Sequence, residues 1–225
     1  RVLSNFEERI VFAASRLDIF LERAGVADKH RAGLMAAYHF GKNFYRSTPI
    51  QFLLDEDEPT VSGIRVYHVP GHCPGMVCLH VDDIMLTADH VLARITPHQA
   101  PESITHNMGL GHYLASLKKI ERVDNIRLGL GGHQDPIEDV YGRIAAIRQS
   151  HDERLQKVLD ICCAPKSIAA ISRELFGPVE SYHVLLALEE TGAHVEYLYQ
   201  RGELIAANLD EIAGQRHPVV QYVRA

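Results

Sequence analysis

The chain has 225 residues, enough for one domain with a small companion or for two modest domains. Hydrophobic residues make up 46% and charged residues 23%, an ordinary globular composition that excludes disordered, collagen-like and coiled-coil chains. The 23 Lys and Arg residues against 29 Asp and Glu residues give a net charge of −6, which argues against bulk attraction to nucleic acid or anionic lipid. No apolar run approaches the roughly 18 residues of a membrane helix, so we expect a cytoplasmic protein without a membrane partner.

The N-terminal third predicts two helices and then short strands. Asn5 can cap a helix whose apolar positions keep helical spacing from Phe6 until Gly25. Asp28 can cap a second helix that runs to about residue 45, and the acidic run 55–58 before Pro59 marks a turn. The pattern then changes to strands at 64–69, 76–81 and 84–88, of which the last two form a tight hairpin.

The rest of the chain alternates helices and strands and then becomes mostly helical. A helix at 110–123 precedes a strand at 126–130 that ends in Gly131-Gly132, which indicates an α/β arrangement. A long helix at 138–163 is stopped by Pro165 and is predicted to connect two domains, residues 1–150 and 151–225. Within the second domain, helices at 167–176 and 181–201 and extended runs at 203–207 and 219–223 form a winged-helix outline.

The histidines are unevenly distributed along the chain, because eight of the 14 fall between His68 and His133. Three of the predicted strands end in small residues followed by His or Asp, in the sequences Pro-Gly-His72, Thr-Ala-Asp89-His90 and Gly-Gly-His133. Imidazole and carboxylate groups on rigid strand ends are the ligands of a zinc-type site. The alternative is that Asp89 caps a turn and His133 is an ordinary loop residue. The four cysteines lack a C-x-x-C pair and are predicted to be reduced.

These three motifs resemble, in order and approximate spacing, the later metal-binding motifs of the metallo-β-lactamase superfamily. The resemblance covers about residues 60–225 and is closest to the subgroup with a winged-helix-like tail, as the stretch 88–97 indicates. It implies the C-terminal portion of an αββα sandwich, with residues 1–58 as a helical cap and 59–150 as the sheet, followed by a small winged-helix-like α+β domain. His72 would complete the histidine set of the first metal, Asp89 would bridge both metals, and His133 would serve the second. His90 is not a ligand in that pattern and is expected to lie behind the ligands or line the pocket.

The chain departs from the superfamily pattern in its leading motif, H-x-H-x-D-H, which is absent. That motif supplies most of the ligands, so we expect this chain to be the later part of a longer protein and to hold metal weakly or not at all when alone. A homodimer, or an upstream segment, is expected to complete the fold. Two milder departures are Ala88, where glycine is usual, and Met76, where histidine is often found.

The resemblance implies hydrolysis in the complete site. Two divalent ions, zinc or else iron or manganese, would share Asp89 and a water, lower the pKa of that water and deliver hydroxide to a carbonyl or phosphoryl centre. The helices ahead of residue 55 would cap the strand ends. Their candidate substrate-pocket residues are Tyr38, His39, Phe44 and Tyr45, with a purely structural role in the core as the alternative.

The first functional hypothesis is therefore a metal-dependent hydrolase of a small ester, thioester or lactone. A ribonuclease or phosphodiesterase of the same fold is the alternative, but residues 151–225 hold seven basic and eleven acidic residues, which disfavours nucleic acid. A third hypothesis is a metal-free binding protein, since a ligand motif is missing. The apolar helix at 181–201 favours a tail that packs or dimerises and does not read DNA.

Overall fold

The computed structural model describes residues 5–42, 46–51 and 63–225, and it divides the chain into two units. Unit 1 comprises Arg1–Phe52, Ser103–Thr105 and Leu155–Ala225. Unit 2 comprises Leu53–Glu102 and His106–Arg154 and contains every strand end predicted to carry a metal ligand. The boundary between Arg154 and Leu155 falls inside a single helix.

Unit 2 is built on a four-stranded sheet of order β1-β2-β3-β4. The three antiparallel strands come first in the chain, and β4 then joins β3 in parallel after the helix α3. A parallel partner needs such a crossover connection. The elements are β1 (Ile64–His68), β2 (Val77–Val81), β3 (Ile84–Ala88), α3 (Leu110–Ile120), β4 (Leu128–Gly131) and the first part of α4 (Val140–Ile161).

The core of unit 2 follows from the alternation of its strands and from the apolar faces of its helices. Val66, Cys78 and Met85 are buried on three neighbouring strands, and Tyr113, Leu117 and Ile120 are buried on one face of α3. At β4 the sheet and α4 approach closely, because a Cβ on Gly129 would lie 2.7 Å from Val140 Cγ2. Glycine at this strand position lets the helix pack against the sheet.

Unit 1 combines the N-terminal helices with the C-terminal region. It contains α1 (Phe6–Arg23), α2 (Asp28–Lys42), the end of α4, β5 (Lys166–Ser167), α5 (Ile168–Phe176), α6 (Tyr182–Gln200), β6 (Leu204–Ala206), α7 (Leu209–Gly214) and β7 (Gln221–Arg224). The three strands form an antiparallel sheet of order β5-β7-β6. Residues of α1, including Leu17 and Leu21, share one hydrophobic core with Ile171 of α5 and Leu198 of α6.

The helices and strands predicted from the pattern are confirmed, with ends that shift by one to three residues in most cases. Two short elements, β5 and α7, were not predicted, because elements of two and six residues carry too little periodicity. The grouping of the N-terminal helices differs from the prediction: α1 and α2 belong with the C-terminal residues and not with the sheet of unit 2. Backbone bonds tie them there, from Ala169 N to Ala24 O at 2.8 Å and from Val220 N to Arg23 O at 2.9 Å.

The winged-helix-like character of residues 151–225 stays a prediction, although the two helices and the two later extended runs form where they were expected. Among the described residues, none of the helices is both long enough and apolar enough to span a bilayer.

Candidate metal centre

The loop that carries His72 is fixed to α3 through glycine. Gly71 has a φ of +138°, and a Cβ at this position would lie 2.5 Å from Tyr113 Cα. Only glycine accepts both that backbone conformation and that close approach. The loop is then held by hydrogen bonds from Gly109 N to Gly71 O at 3.1 Å and from Ser116 Oγ to Pro70 O at 2.7 Å.

The imidazole of His72 is oriented by a backbone carbonyl. Its Nδ1 lies 2.7 Å from the carbonyl oxygen of His98, which can only accept, so Nδ1 carries the proton and donates. The lone pair is then on Nε2. Metal-binding histidines use this arrangement, in which one ring nitrogen donates to a carbonyl or carboxylate and the other binds the ion.

Asp89 follows β3 at a point where the backbone turns sharply. The pairing of β3 with β4 shifts register between Leu86 and Ala88, and Ala88 has a φ of +45°. The turn is stabilised by the hydrogen bond from Gly132 N to Ala88 O at 2.8 Å. A Cβ on Gly132 would overlap Asp89 Oδ1, so glycine here leaves space for the carboxylate.

The structure brings Asp89 and His133 together. His133 Nε2 lies 3.8 Å from Asp89 Oδ1, and both side chains remain reachable from solvent, with exposed fractions of 53% for His133 and 39% for Asp89. Two parallel strands, β3 and β4, end side by side and so deliver the two residues to one edge of the sheet.

Among the described residues, His72 forms no hydrogen bond or ion pair with Asp89 or His133. The charge of Asp89 contributes to the pKa of Cys73, the residue after His72, although burial is the larger cause of the rise in that pKa. The ligand atoms of His72, Asp89 and His133 do not all lie within 4.8 Å of one another in the described part of the chain. The three residues therefore do not surround a single ion, and a division between two neighbouring ions remains the arrangement that the sequence predicts.

His90 is fully buried beneath the turn. Its ring meets Tyr113 edge-on with centroids 5.3 Å apart, and neither ring nitrogen has a hydrogen-bond partner among the described residues. Burial lowers the pKa of its imidazole to about 4, so the ring is neutral at physiological pH. His90 thus packs against Tyr113 as a neutral imidazole, and a catalytic part in the chemistry stays a prediction.

Of the predicted substrate-pocket residues, Phe44 and Tyr45 lie outside the described residues. Tyr38 and His39 lie on α2 in unit 1, where Tyr38 packs against the hydrophobic core of that unit and His39 is exposed. Burial raises the pKa of the Tyr38 hydroxyl. Tyr38 therefore has the structural role in the core that was the alternative to a role in a substrate pocket.

Sequence reasoning missed the residues that hold the loop between Asp89 and His98. Arg143, on α4, donates from Nε to Leu92 O at 2.6 Å and from Nη2 to Ile95 O at 2.7 Å. The backbone N–H of Arg94 donates to Gln134 Oε1 at 2.8 Å, which joins this loop to the one that carries His133. Arg143 binds carbonyls some fifty positions away in the sequence. The local pattern shows only a cation among the buried positions of a helix, such as Val140 and Ile144, and so it could not predict this role.

Comparison with known proteins finds similar folds among solved structures. No protein-family model matches the chain, and no curated protein matches it. Among solved structures, a metallo-β-lactamase family protein from Thermus thermophilus is similar with a TM-score of 0.68 and 25% identity, over 83% of this chain and 59% of that one. A β-lactamase domain protein from Burkholderia ambifaria is similar with a TM-score of 0.75 and 27% identity, over 90% and 60%.

The chain belongs to the metallo-β-lactamase superfamily. Its α/β fold is the one that these two proteins share, which confirms the fold class expected from the three motifs. The chain spans about three fifths of the length of each of these relatives.

The donor atoms present fit a divalent ion of the kind that this superfamily uses. His72 offers a free Nε2, Asp89 offers a carboxylate oxygen that Gly132 keeps unobstructed, and His133 offers an exposed ring. Nitrogen and oxygen donors of this kind suit zinc, iron or manganese. The type of these donor atoms suits a divalent ion. Their number is smaller than two ions require, because zinc sites have three or four protein ligands each.

Replacing Ala88 by glycine should stabilise this metallo-β-lactamase fold. A φ of +45° costs a residue with a Cβ about 1–2 kcal/mol, and glycine does not carry that cost. Because the strain of about 1–2 kcal/mol that is relieved exceeds the cost of about 0.5–1 kcal/mol for glycine's greater freedom in the unfolded chain, we expect Ala88→Gly to raise the free energy of unfolding by about 0.5–1 kcal/mol, measured by urea denaturation. The matched control is Ala146→Gly, at an exposed position inside α4, which should lower it by about 0.5–1 kcal/mol. Equal losses in both variants would contradict the strain assigned to Ala88.

Replacing Gly132 by alanine should weaken metal binding without unfolding the protein. The added Cβ overlaps Asp89 Oδ1, and the flexible carboxylate can rotate away, but it then leaves His133. In the chain extended ahead of Arg1 by a segment carrying H-x-H-x-D-H, we expect the affinity for zinc to fall about 10-fold, as for other changes that misorient a ligand. Competition against a chelating dye measures it.

Gly142→Ala is the control, because its Cβ would likewise overlap a carboxylate, that of Asp139, outside the proposed centre. An equal fall in zinc affinity in both variants would show that Gly132 has no special relation to the metal.

Proposed function

We propose that the chain carries part of the metal centre of a hydrolase that acts on a small ester, thioester or lactone. The observation that carries this proposal is the pairing of Asp89 and His133 at the ends of two adjacent strands, 3.8 Å apart and open to solvent. The two structural relatives belong to a superfamily of metal-dependent hydrolases, which supports the reaction class and leaves the substrate open.

A divalent ion bound here would polarise the scissile carbonyl and make a water molecule a better nucleophile at neutral pH. The chain's own residues supply the positioning. The carbonyl of His98 keeps the proton on Nδ1 of His72, so that Nε2 would be the nitrogen available to an ion. Asp89 contributes negative charge next to His133, which would help to retain a cation at the strand ends.

The protein environment also limits what can happen at this site. His90 is buried and neutral, so it adds no positive charge that would repel a cation next to Asp89. Cys73 is half-buried and its pKa is raised, first by burial and then by Asp89, so in the absence of a metal its thiol is less acidic than that of a free cysteine.

The test is to measure turnover of four substrates with zinc, iron or manganese added: a nitrophenyl ester, a thioester, a lactone and a nitrophenyl phosphodiester. The chain is assayed alone and with a segment carrying H-x-H-x-D-H joined ahead of Arg1. The longer protein is needed because the three ligands of the chain give each of two ions about two protein donors, whereas zinc sites have three or four. We expect turnover of a carboxyl substrate in the extended chain, lost on chelation and in His133→Ala.

Two outcomes would replace the proposal. Turnover of the phosphodiester alone would identify a phosphodiesterase. Absence of both metal binding and turnover in the extended chain would identify a metal-free binding protein.

A further inference from the structure

A strongly basic cavity of about 660 Å³ lies in unit 2, lined by β1, β2, the second half of α3 and the turn after it. It shares no residue with His72, Asp89 or His133. In a chain of net charge −6, this concentration of cations is a local feature and not a reflection of the overall composition. Its charged and titratable lining residues are Arg65, Tyr67, His80, Lys118, Lys119, Arg122 and Asp124.

The sequence builds the cavity from two regular elements. On α3 and the turn after it, positions 115, 118, 119 and 122 follow the i, i+3, i+4, i+7 spacing of a single helix face, while Leu117 and Ile120 are buried. On the sheet, Arg65 of β1 and His80 of β2 are direct cross-strand partners. Basic side chains are therefore held together by secondary structure.

Three of these cations form no salt bridge within the described residues: Arg65, Lys118 and Arg122. Asp124 is the single carboxylate among the described residues that line the cavity. Lys118 near the end of α3 and Arg122 in the turn after it are four residues apart, a spacing at which like charges repel each other. Lys119 differs, because its Nζ donates to the carbonyl of His68 at 2.7 Å.

His80 gives a second and independent indication of a ligand. The residue is 9% exposed, lines the cavity, and leaves its Nε2 without a hydrogen-bond partner among the described residues. Buried polar atoms are normally satisfied, so an unsatisfied one calls for a partner that the chain does not supply. Because this nitrogen is itself shielded from solvent, an oxygen atom of an anion in the cavity can accept from it only after the ring or a neighbouring side chain moves.

We propose that this cavity binds a phosphate group of a small molecule, held between Arg65 on the sheet and the basic face of α3. A guanidinium binds two phosphate oxygens at once, and lysine ammonium groups add charge without demanding a fixed geometry. The volume exceeds that of one phosphate, which leaves room for a second phosphate or an organic group. The proposal does not depend on the hydrolase function, since no residue is shared.

The test is calorimetric titration of the 225-residue chain with inorganic pyrophosphate and with phenyl phosphate, at constant ionic strength. Prior treatment with a chelator removes metal, so that phosphate cannot bind through an ion at the other site. We expect saturable binding that weakens at least tenfold in the double variant Lys118→Gln, Arg122→Gln. Both residues are exposed, and circular dichroism checks that the fold is kept.

The matched control is the double variant Lys157→Gln, Arg216→Gln, which changes the net charge equally at exposed positions outside the cavity. It should change the affinity less than twofold. Equal weakening in both double variants, or no saturable binding of either probe to the unaltered chain, overturns the proposal. Binding of phenyl phosphate would assign the site to organic phosphates, and binding of pyrophosphate alone would assign it to inorganic ones.

Discussion

In the chain extended ahead of Arg1 by a segment carrying H-x-H-x-D-H, Asp89→Asn should weaken zinc binding at both positions of the proposed centre, whereas His72→Ala and His133→Ala should each weaken it at one. Asp89 is the single residue of this chain assigned to both ions, so its loss leaves the chain contributing about one ligand to each ion. We expect the affinity to fall at least about 100-fold, beyond the 10–100-fold typical of changes that only misorient a ligand. Equilibrium dialysis with zinc analysis gives both stoichiometry and affinity.

The control for this prediction is Asp152→Asn, which removes an exposed carboxylate from α4 and should leave zinc binding unchanged. Zinc bound by Asp89→Asn with the same stoichiometry as by the unaltered chain would show that the metal lies elsewhere. A loss in His133→Ala as complete as in Asp89→Asn would show that the ligands are not divided between two ions.

Gly71→Ala should destabilise unit 2 more than any other single methyl addition in the loop that carries His72. The added Cβ meets Tyr113 Cα at 2.5 Å, and a φ of +138° is unfavourable for alanine. Backbone strain of about 1–3 kcal/mol and overpacking of about 1–3 kcal/mol together predict a loss of about 4 kcal/mol. Urea denaturation followed by circular dichroism measures it.

Gly75→Ala is the internal control, because it adds the same methyl group in the same loop with no atom within 4 Å and no positive φ. It should change the free energy of unfolding by less than about 0.5 kcal/mol. A similar loss in both variants would mean that the loop is sensitive to any substitution and that the contact with Tyr113 is not the cause.

The strand ends of the candidate site could be predicted because their signals are local. Proline and glycine after a β-type run predict a turn whatever surrounds it, and a histidine in such a turn is presented at the end of the strand. The positive φ of Ala88 also agrees with the superfamily pattern, in which glycine is usual at this position. The local pattern was enough for His72, Asp89 and His133 to be named as candidates.

The residues that orient these groups could not be predicted, because they act across long sequence separations. His98 reaches His72 from 26 positions away, and Arg143 reaches Leu92 from 51 positions away. The grouping of α1 with the C-terminal helices has the same origin. An apolar stripe shows that a helix buries one face but does not identify what covers it. Leu17 and Leu21 could have packed on either unit until the structure was known.

One helix, α4, belongs to both units, since the boundary between Arg154 and Leu155 lies within its 22 residues. Its first part buries Val140, Ile144 and Ile147, and its last part buries Val158, while residues 148–157 between them are exposed or half-buried except for His151, which is fully buried. Amide hydrogen exchange reports the free energy of opening at each residue and follows cooperative units rather than secondary structure. If the two units open separately, the amides of this single helix will exchange at two different rates, one before and one after the boundary at Arg154 and Leu155.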